Sequence, residues 1–410
     1  MKILLINNFH YRKGGSETVY FNMARMLMEH GHEVVFFSCD SPKNQVEGSN
    51  RFFIEENNSL PMWKGAMRYI YNRKAQRSLE QLIAEERPDI AHIHLFWGGL
   101  STSILDTLRR HKIPVVHTAH DYRMICPAYA FRRADGTICE ECGGGRFYRC
   151  AVNRCSRNSL VHSLLMSAEM YIRNHYHNAL RKIDGVVYVS NFAHNKHREF
   201  APQLDKSHSV VSYNSIAPLD EQFISHKRGD YLLFFGRLSY EKGIKTLIEA
   251  FAALDGGRLL IVGTGPEEDI LKRYVTEQGA DDRIEFLGYR TGEPLKELIR
   301  DAEAVVVPSE WYENNPMTII ESYTAGVPVI GAEIGGIPEI VVDGETGFLF
   351  KSGNVESLKE AICKARNLTD EEHGEMREKA RKFALDNFSE EQSYNKIMNL
   401  YNTILQDYER

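Results

Sequence analysis

Short apolar runs alternate with amphipathic segments along this chain, in two successive rounds. In the first round Lys2–Asn7 predicts a buried strand and Asn8–Gly15 a polar turn. A helix follows, capped by Ser16 and ended near His30 by Gly31. Val34–Ser38, Ile90–His94, Val115–Thr118 and Gly185–Val189 predict further strands, with helices before or between them. Asn214–Asp230 is polar and aperiodic, and the alternation restarts beyond it. Tyr231–Phe235, Leu259–Val262, Ile284–Leu287, Ala304–Val307 and Val327–Ile330 predict strands, and Glu241–Ala253 and Pro266–Glu277 predict helices among them. Apolar strands separated by helices imply parallel sheets covered on both faces. The expected fold is α/β, with two tandem doubly wound, Rossmann-like domains and a cleft between them. The first covers residues 1–213 and the second 214–389; a last helix at 390–410 is expected to pack back on the first. In such sheets ligands bind outside the carboxyl ends of the strands.

Composition narrows the class. Hydrophobic residues make up 43% and charged residues 26%, which excludes a largely disordered chain or a fibre. No run approaches the ~20 apolar residues of a membrane span. The start, MKILLINN, has an apolar run too short for a secretory signal, so a cytoplasmic location is expected. The net charge of −6 hides an asymmetry. Residues 1–205 hold 27 Lys and Arg against 20 Asp and Glu, whereas the remainder holds 23 against 36. A basic first half suits an anionic partner, such as a membrane surface or a phosphorylated substrate, although two ordinary surfaces would give the same counts. Met62–Leu79 adds Lys64, Arg68, Arg73, Lys74 and Arg77 without an acid, interleaved with Trp63, Tyr69 and Tyr71. Such a helix suits an anionic membrane interface, the alternative being a surface helix with its apolar stripe on the sheet. Ser159–Lys182 reads as a long helix that could share its face. The basic residues are spread over several elements and form no nucleic-acid-binding module.

Candidate chemistry collects at strand ends. Glu313 and Glu321 lie eight apart in Trp311-Tyr312-Glu313-Asn314-Asn315-Pro316-Met317-Thr318-Ile319-Ile320-Glu321, the first in a loop after a strand and the second on a helix starting near Pro316. The unbonded N–H groups of that first turn favour an anion such as a diphosphate, and paired carboxylates bind sugar hydroxyls. In Phe235-Gly236-Arg237-Leu238-Ser239-Tyr240-Glu241-Lys242-Gly243, Arg237 and Lys242 could converge on phosphate oxygens; an ion pair with Glu241 is the alternative. Gly263 and Gly265 form a strand-to-helix turn that lacks the third glycine of a dinucleotide fingerprint. Gly14 and Gly15 follow the first strand and let backbone N–H groups approach a phosphate. His120, in His117-Thr118-Ala119-His120-Asp121, stands just past a strand end, while His117 reads as a packed histidine. Gly335 and Gly336 open a further loop with backbone donors.

Taken in order, these segments resemble glycosyltransferase family 4, whose architecture is GT-B, and the resemblance covers nearly the whole chain. It implies that Glu313 contacts the donor sugar and Glu321 the nucleotide ribose. Arg237 and Lys242 would hold the donor diphosphate, with Gly14, Gly15, Gly236, Gly335 and Gly336 near its phosphates. Gly263 and Gly265 would lie near the base, and Asn315, Pro316 and Met317 at the anion-binding helix start. His120 would line the reaction centre. The resemblance further implies transfer with retention of anomeric configuration and no obligatory divalent metal. The expected function is transfer of a sugar from a nucleotide-sugar donor to a hydroxyl of a lipid-linked glycan acceptor, in surface or extracellular polysaccharide biosynthesis. The enzyme would stand at the inner membrane face. An epimerase of the same fold and a non-catalytic nucleotide-sugar-binding protein are the alternatives.

Seven cysteines remain, five of them between Cys126 and Cys155. Cys139, Cys142, Cys150 and Cys155 have the composition of a tetrahedral structural zinc site in an insertion over residues 126–155, with free thiols as the alternative.

Overall fold

The computed structural model describes residues 1–45, 50–56 and 62–409. Contacts divide the chain into two compact units, one of Met1–Tyr213 with the residues from Glu391 onward, the other of Asn214–Glu390.

The first unit begins with β1 (Lys2–Ile6), α1 (Gly15–Glu29) and β2 (Glu33–Phe37), then a short parallel pair, β3 (Cys39–Asp40) with β4 (Ile54–Glu55). After α2 (Met62–Ile70) and α3 (Arg73–Glu86) come β5 (Ile90–Ile93), α4 (Ser103–Arg110) and β6 (Val115–Ala119). The inserted α5 (Tyr148–Val152) and α6 (Leu160–Tyr171) precede β7 (Gly185–Tyr188), α7 (Asn191–Phe200) and β8 (His208–Val211). The six main strands run parallel in the order β2-β1-β5-β6-β7-β8. Chain direction across the sheet reverses between β1 and β5, the position at which open sheets of this kind bind ligands. Asn7 and Asn8 tie those two strand ends together. Leu95 N–H donates to Asn7 Oδ1 at 2.9 Å, and Asn8 Nδ2 donates to Trp97 O at 2.9 Å.

The second unit repeats the plan with β9 (Tyr231–Phe235), α8 (Ile244–Ala252), β10 (Arg258–Val262), α9 (Glu268–Glu277) and β11 (Ile284–Gly288). It continues through α10 (Glu293–Arg300), β12 (Ala304–Val307), α11 (Met317–Thr324), β13 (Val329–Ala332), α12 (Ile337–Ile340) and β14 (Gly347–Phe350), and ends in α13 (Val355–Arg366) and α14 (Asp370–Asn387). Its parallel sheet has the order β11-β10-β9-β12-β13-β14, with the reversal between β9 and β12. The central strands are buried along their length, as their unbroken apolar sequences require.

Several elements depart from expectation. Gly14, not Ser16, holds the cap position of α1, and Ser16 lies inside the helix; the buried Glu17 places its carboxylate in the first turn, where negative charge suits the helix start. Met62–Leu79 is two helices, because Asn72 caps α3 by accepting from Lys74 and Ala75 N–H groups. Ser159–Lys182 is likewise divided: α6, capped by Ser159, runs into a π-helical turn over Ile172–Tyr176 and a separate turn over Ala179–Lys182. Pro316 caps α11 with extended ψ and stands just outside the helix.

The last helix, α15 (Glu390–Glu409), belongs to the first unit. Ile397, Leu400, Tyr401 and Ile404 enter the core formed by β1, α1 and β7. Tyr401 OH is hydrogen-bonded to His92 Nδ1 on β5 at 2.5 Å. Ile404→Ala removes a fully buried side chain and should destabilise this unit by about 2–5 kcal/mol. Hydrogen exchange should accelerate in β5 and β7 while the amides of β9 and β12 stay protected.

Candidate active site

In the second unit the loops leaving β9, β10, β12 and β13 are bonded to one another. Gly236 N–H donates to Val262 O at 3.0 Å, Glu310 N–H to Glu241 O at 2.9 Å, and Gly336 N–H to Glu313 O at 2.7 Å. The approach is close enough to require glycine. A Cβ on Gly263 would fall 1.8 Å from Gly236 O, and one on Gly335 would fall 2.3 Å from Glu313 O. Both residues also have positive φ, +134° and +61°.

Glu313 stands at the centre of these loops and is almost wholly buried. Lys242 Nζ lies 2.6 Å from its Oε1, and Ser309 Oγ donates to the same oxygen at 2.8 Å. Burial pulls this carboxyl upward, but the Lys242 charge and hydrogen bonds outweigh it and hold Glu313 below the ordinary carboxylate range. Glu313 is therefore an ionised acceptor with a cation at its side. The expected helix after Ser239 is interrupted at Gly243, leaving Lys242 in a short 3₁₀ turn that aims it at Glu313. Arg237 is exposed, and the Glu241 carboxylate accepts from Ser239 Oγ at 2.6 Å.

The start of α11 has no side-chain cap, so its first N–H groups are open to an anion. Met317 is half-buried there, and Glu321 lies one turn on along the same face. Burial pushes the Glu321 carboxyl up to about 7, and among the described residues it has no hydrogen-bond partner. Asn315 is committed within the protein: its Oδ1 accepts from Asn214 N–H at 2.7 Å and its carbonyl from Asn214 Nδ2 at 2.9 Å.

In the first unit, Gly14 and Gly15 stand at the start of α1 beside Glu17, whose carboxyl is raised by burial. His120 follows β6, and its Nε2 lies 2.7 Å from His94 Nδ1 at the end of β5. The rings of His92, His94 and His120 stack in series at 5.0 and 4.9 Å. Burial pushes His120 down to about 4 and holds His94 well below the usual histidine range, so both are neutral at physiological pH. Among the described residues His94 Nε2 has no hydrogen-bond partner. A buried ring nitrogen without a partner is less costly as a bare acceptor, which assigns the His94 proton to Nδ1, donated to His120 Nε2. His94 and Glu17 were not singled out from the sequence. Their signals were the His92-Ile93-His94 alternation, which puts both imidazoles on one face of a strand, and an acid among the apolar positions of α1. His117 is the packed histidine expected, with Nδ1 3.0 Å from Ile93 O.

The cysteines of the insertion lie near one another, Cys142 interacting with Cys126, Cys155 and Cys139. Among the described residues no group of three or more His, Cys, Asp or Glu side chains is arranged to hold a metal, and all seven thiols are free. Cys150 and Cys155 hydrogen-bond to one another, and Cys139 accepts from Asn153 Nδ2 at 3.7 Å. Cys155 N–H also donates to Cys150 O at 3.1 Å.

Comparison with known proteins places this geometry. The profile described as Glycosyltransferase Family 4 matches residues 13–218, and the one described as Glycosyl transferases group 1 matches residues 218–383. The N-acetyl-alpha-D-glucosaminyl L-malate synthase of Bacillus anthracis is 23% identical over 404 residues, covering 96% of this chain and 95% of its own. Among solved structures, sucrose-phosphate synthase from Thermosynechococcus elongatus superposes with a TM-score of 0.73 at 19% identity, covering 99% of both chains. The Anabaena protein Alr3699/HepE, solved in complex with UDP and glucose, superposes with a TM-score of 0.65 at 18% identity, covering 98% of this chain and 100% of its own. Two doubly wound parallel-sheet units matched in this way are the GT-B fold, and this chain belongs to glycosyltransferase family 4.

Proposed function

We propose that the enzyme moves a sugar from a nucleotide-sugar donor to a hydroxyl of a glycan acceptor that is lipid-linked, with retention of configuration, in surface or extracellular polysaccharide biosynthesis. The observation that carries this reading is the part-buried Lys242–Glu313 pair, set among loops at the carboxyl ends of β9 and β12. The C1–O bond to the diphosphate breaks as the acceptor oxygen bonds to C1, and the acceptor proton passes to the departing phosphate oxygen. Negative charge grows on that oxygen, and fixed cations and N–H dipoles stabilise it best. Arg237, Lys242 and the open start of α11 are such groups, so the chemistry asks for no divalent metal at the diphosphate. Glu313 accepts from sugar hydroxyls, and Glu321 from the ribose. His120 keeps the role implied at the sugar's reaction centre, with His94 as a positioning residue that fixes its tautomer.

The names of relatives support the donor class: one acts in a glucosaminyl transfer, and another was solved with UDP and glucose. The lipid-linked acceptor rests on the basic first half of the chain. Among the described residues no helix is long and apolar enough to cross a membrane, so contact with lipid would be peripheral.

A panel of nucleotide-sugars, with and without lipid extract, tests the reading by thermal shift and product assay. One nucleoside diphosphate should stabilise the protein, and transfer should require the extract. Conversion of donor without any acceptor would favour the epimerase, and no stabilisation by any nucleotide would end the proposal. Lys242→Ala should lower kcat by roughly 10²–10³-fold. His94→Ala should lower kcat on the order of tenfold with donor KM nearly unchanged, and should alter the ¹⁵N tautomer signature of His120.

Glu321 gives a pH-dependent prediction. Its folded pKa lies above the unfolded value, so burying it costs nothing below the unfolded pKa and most above about 7. Glu321→Gln should raise the unfolding midpoint at pH 8, leave it unchanged near pH 4, and weaken nucleotide binding at pH 8.

A further inference from the structure

The helix α6 is turned the wrong way for a surface in water. Its Ser163 and Ser167 are buried, while Leu160, Val161 and Leu164 face outward, Val161 at 70% exposure. Aliphatic side chains gathered on one exposed helix face mark a surface that binds something apolar. The inner serines are satisfied: Ser167 Oγ donates to Phe147 O and Ser163 O, at 2.9 and 2.8 Å.

The neighbouring helices extend the same surface. Tyr69 OH of α2 donates to Met166 Sδ of α6 at 2.9 Å, and Tyr148 N–H of α5 donates to Tyr171 OH of α6 at 3.3 Å. From α2 come Trp63 and Met67, 61% and 62% exposed, and from α5 comes Val152, 64% exposed. Tyr69 and Tyr71 of the same basic stretch do not join them. Tyr69 is held by Arg123, and Tyr71 stacks on His177 at 4.7 Å.

Charge selects the occupant. Residues 143–168 contain Arg146, Arg149, Arg154 and Arg157 and no Asp or Glu, and Lys64 lies beside Trp63 on α2. Arg146, Arg154, Arg157 and Lys64 are exposed. Exposed aliphatic side chains and a tryptophan, on segments that also carry exposed basic residues whose stems can lie along apolar surface, match the boundary between acyl chains and anionic headgroups. We infer that α2, α5 and α6 form a membrane-docking face that seats the first unit in the interface of an anionic phospholipid bilayer, with Trp63, Met67, Val152, Leu160, Val161 and Leu164 entering it. The docking face deepens the proposed lipid-linked acceptor by naming the surface that would reach it. Vesicle binding needs no substrate, so failure of the docking face and failure of the transferase reading are separate results.

The test uses the full chain with vesicles of phosphatidylcholine alone or with added phosphatidylglycerol. The protein should co-sediment with the anionic vesicles at low salt, and its tryptophan emission should shift to the blue, a shift lost in Trp63→Phe. The double substitution Val161→Ser, Leu164→Ser should reduce partitioning by roughly tenfold or more. Arg154→Gln with Arg157→Gln should abolish the preference for phosphatidylglycerol, and Leu385→Ser, an exposed position in the second unit, should change nothing. All of these side chains face outward, so unfolding midpoints should stay at the native value. Equal partitioning of the native protein and the Val161/Leu164 variant would overturn the inference. So would a monomer–dimer equilibrium that those substitutions abolish in protein that does not bind vesicles, which would make the face a protein interface.

Discussion

A carboxylate taken out of water needs a charge beside it, and Glu313 has Lys242 at 2.6 Å. That pair holds the second unit's site together. Lys242 comes from the turn after β9 and Glu313 from the loop after β12, the two strands between which the sheet reverses direction. The carbonyl of Glu313 also receives Gly336 N–H, so the loop after β13 closes on the same residue. A single part-buried ion pair thus ties the turn after β9 to the loop after β12, and the carbonyl of the same glutamate holds the loop after β13. Glu321 contrasts with it. It lies on the next helix without a partner, and its carboxyl rises toward neutrality.

The first unit uses neutral groups instead. His92, His94 and His120 are stacked and buried, with hydrogen bonds running to Tyr401 on α15 and to Thr118 on β6. Desolvation keeps these imidazoles uncharged, so they can lie in contact without repulsion. The last helix is therefore more than a cover for the sheet. Through Tyr401 it reaches the strand whose next histidine bonds to His120.

The chain's alternation made most of the sheet order legible, because buried parallel strands are apolar throughout and easily told from the helices between them. β8 and β14 escaped for identifiable reasons. β8 is an edge strand with two exposed residues, and β14 opens with glycine after a turn-rich stretch. Helix continuity was overread twice, at Asn72 and at Ile172, where a local side-chain cap and a change of helical pitch end what the composition would have continued. The cysteine spacing marked a segment whose thiols the fold brings near one another, with Cys150 and Cys155 hydrogen-bonded.

By itself the sequence determined the two-round α/β plan and the break near Asn214, and it singled out Arg237, Lys242, Glu313, Glu321 and His120 as candidates, because period, strand ends and residue chemistry are local properties. Pairings between distant segments are not local. That Lys242 meets Glu313, that His94 meets His120, and that α6 turns its serines inward and its aliphatics out were decided by packing, the first two across sequence separations of 71 and 26. Only the folded chain brings those surfaces together, and only there do burial and charge act on them at once.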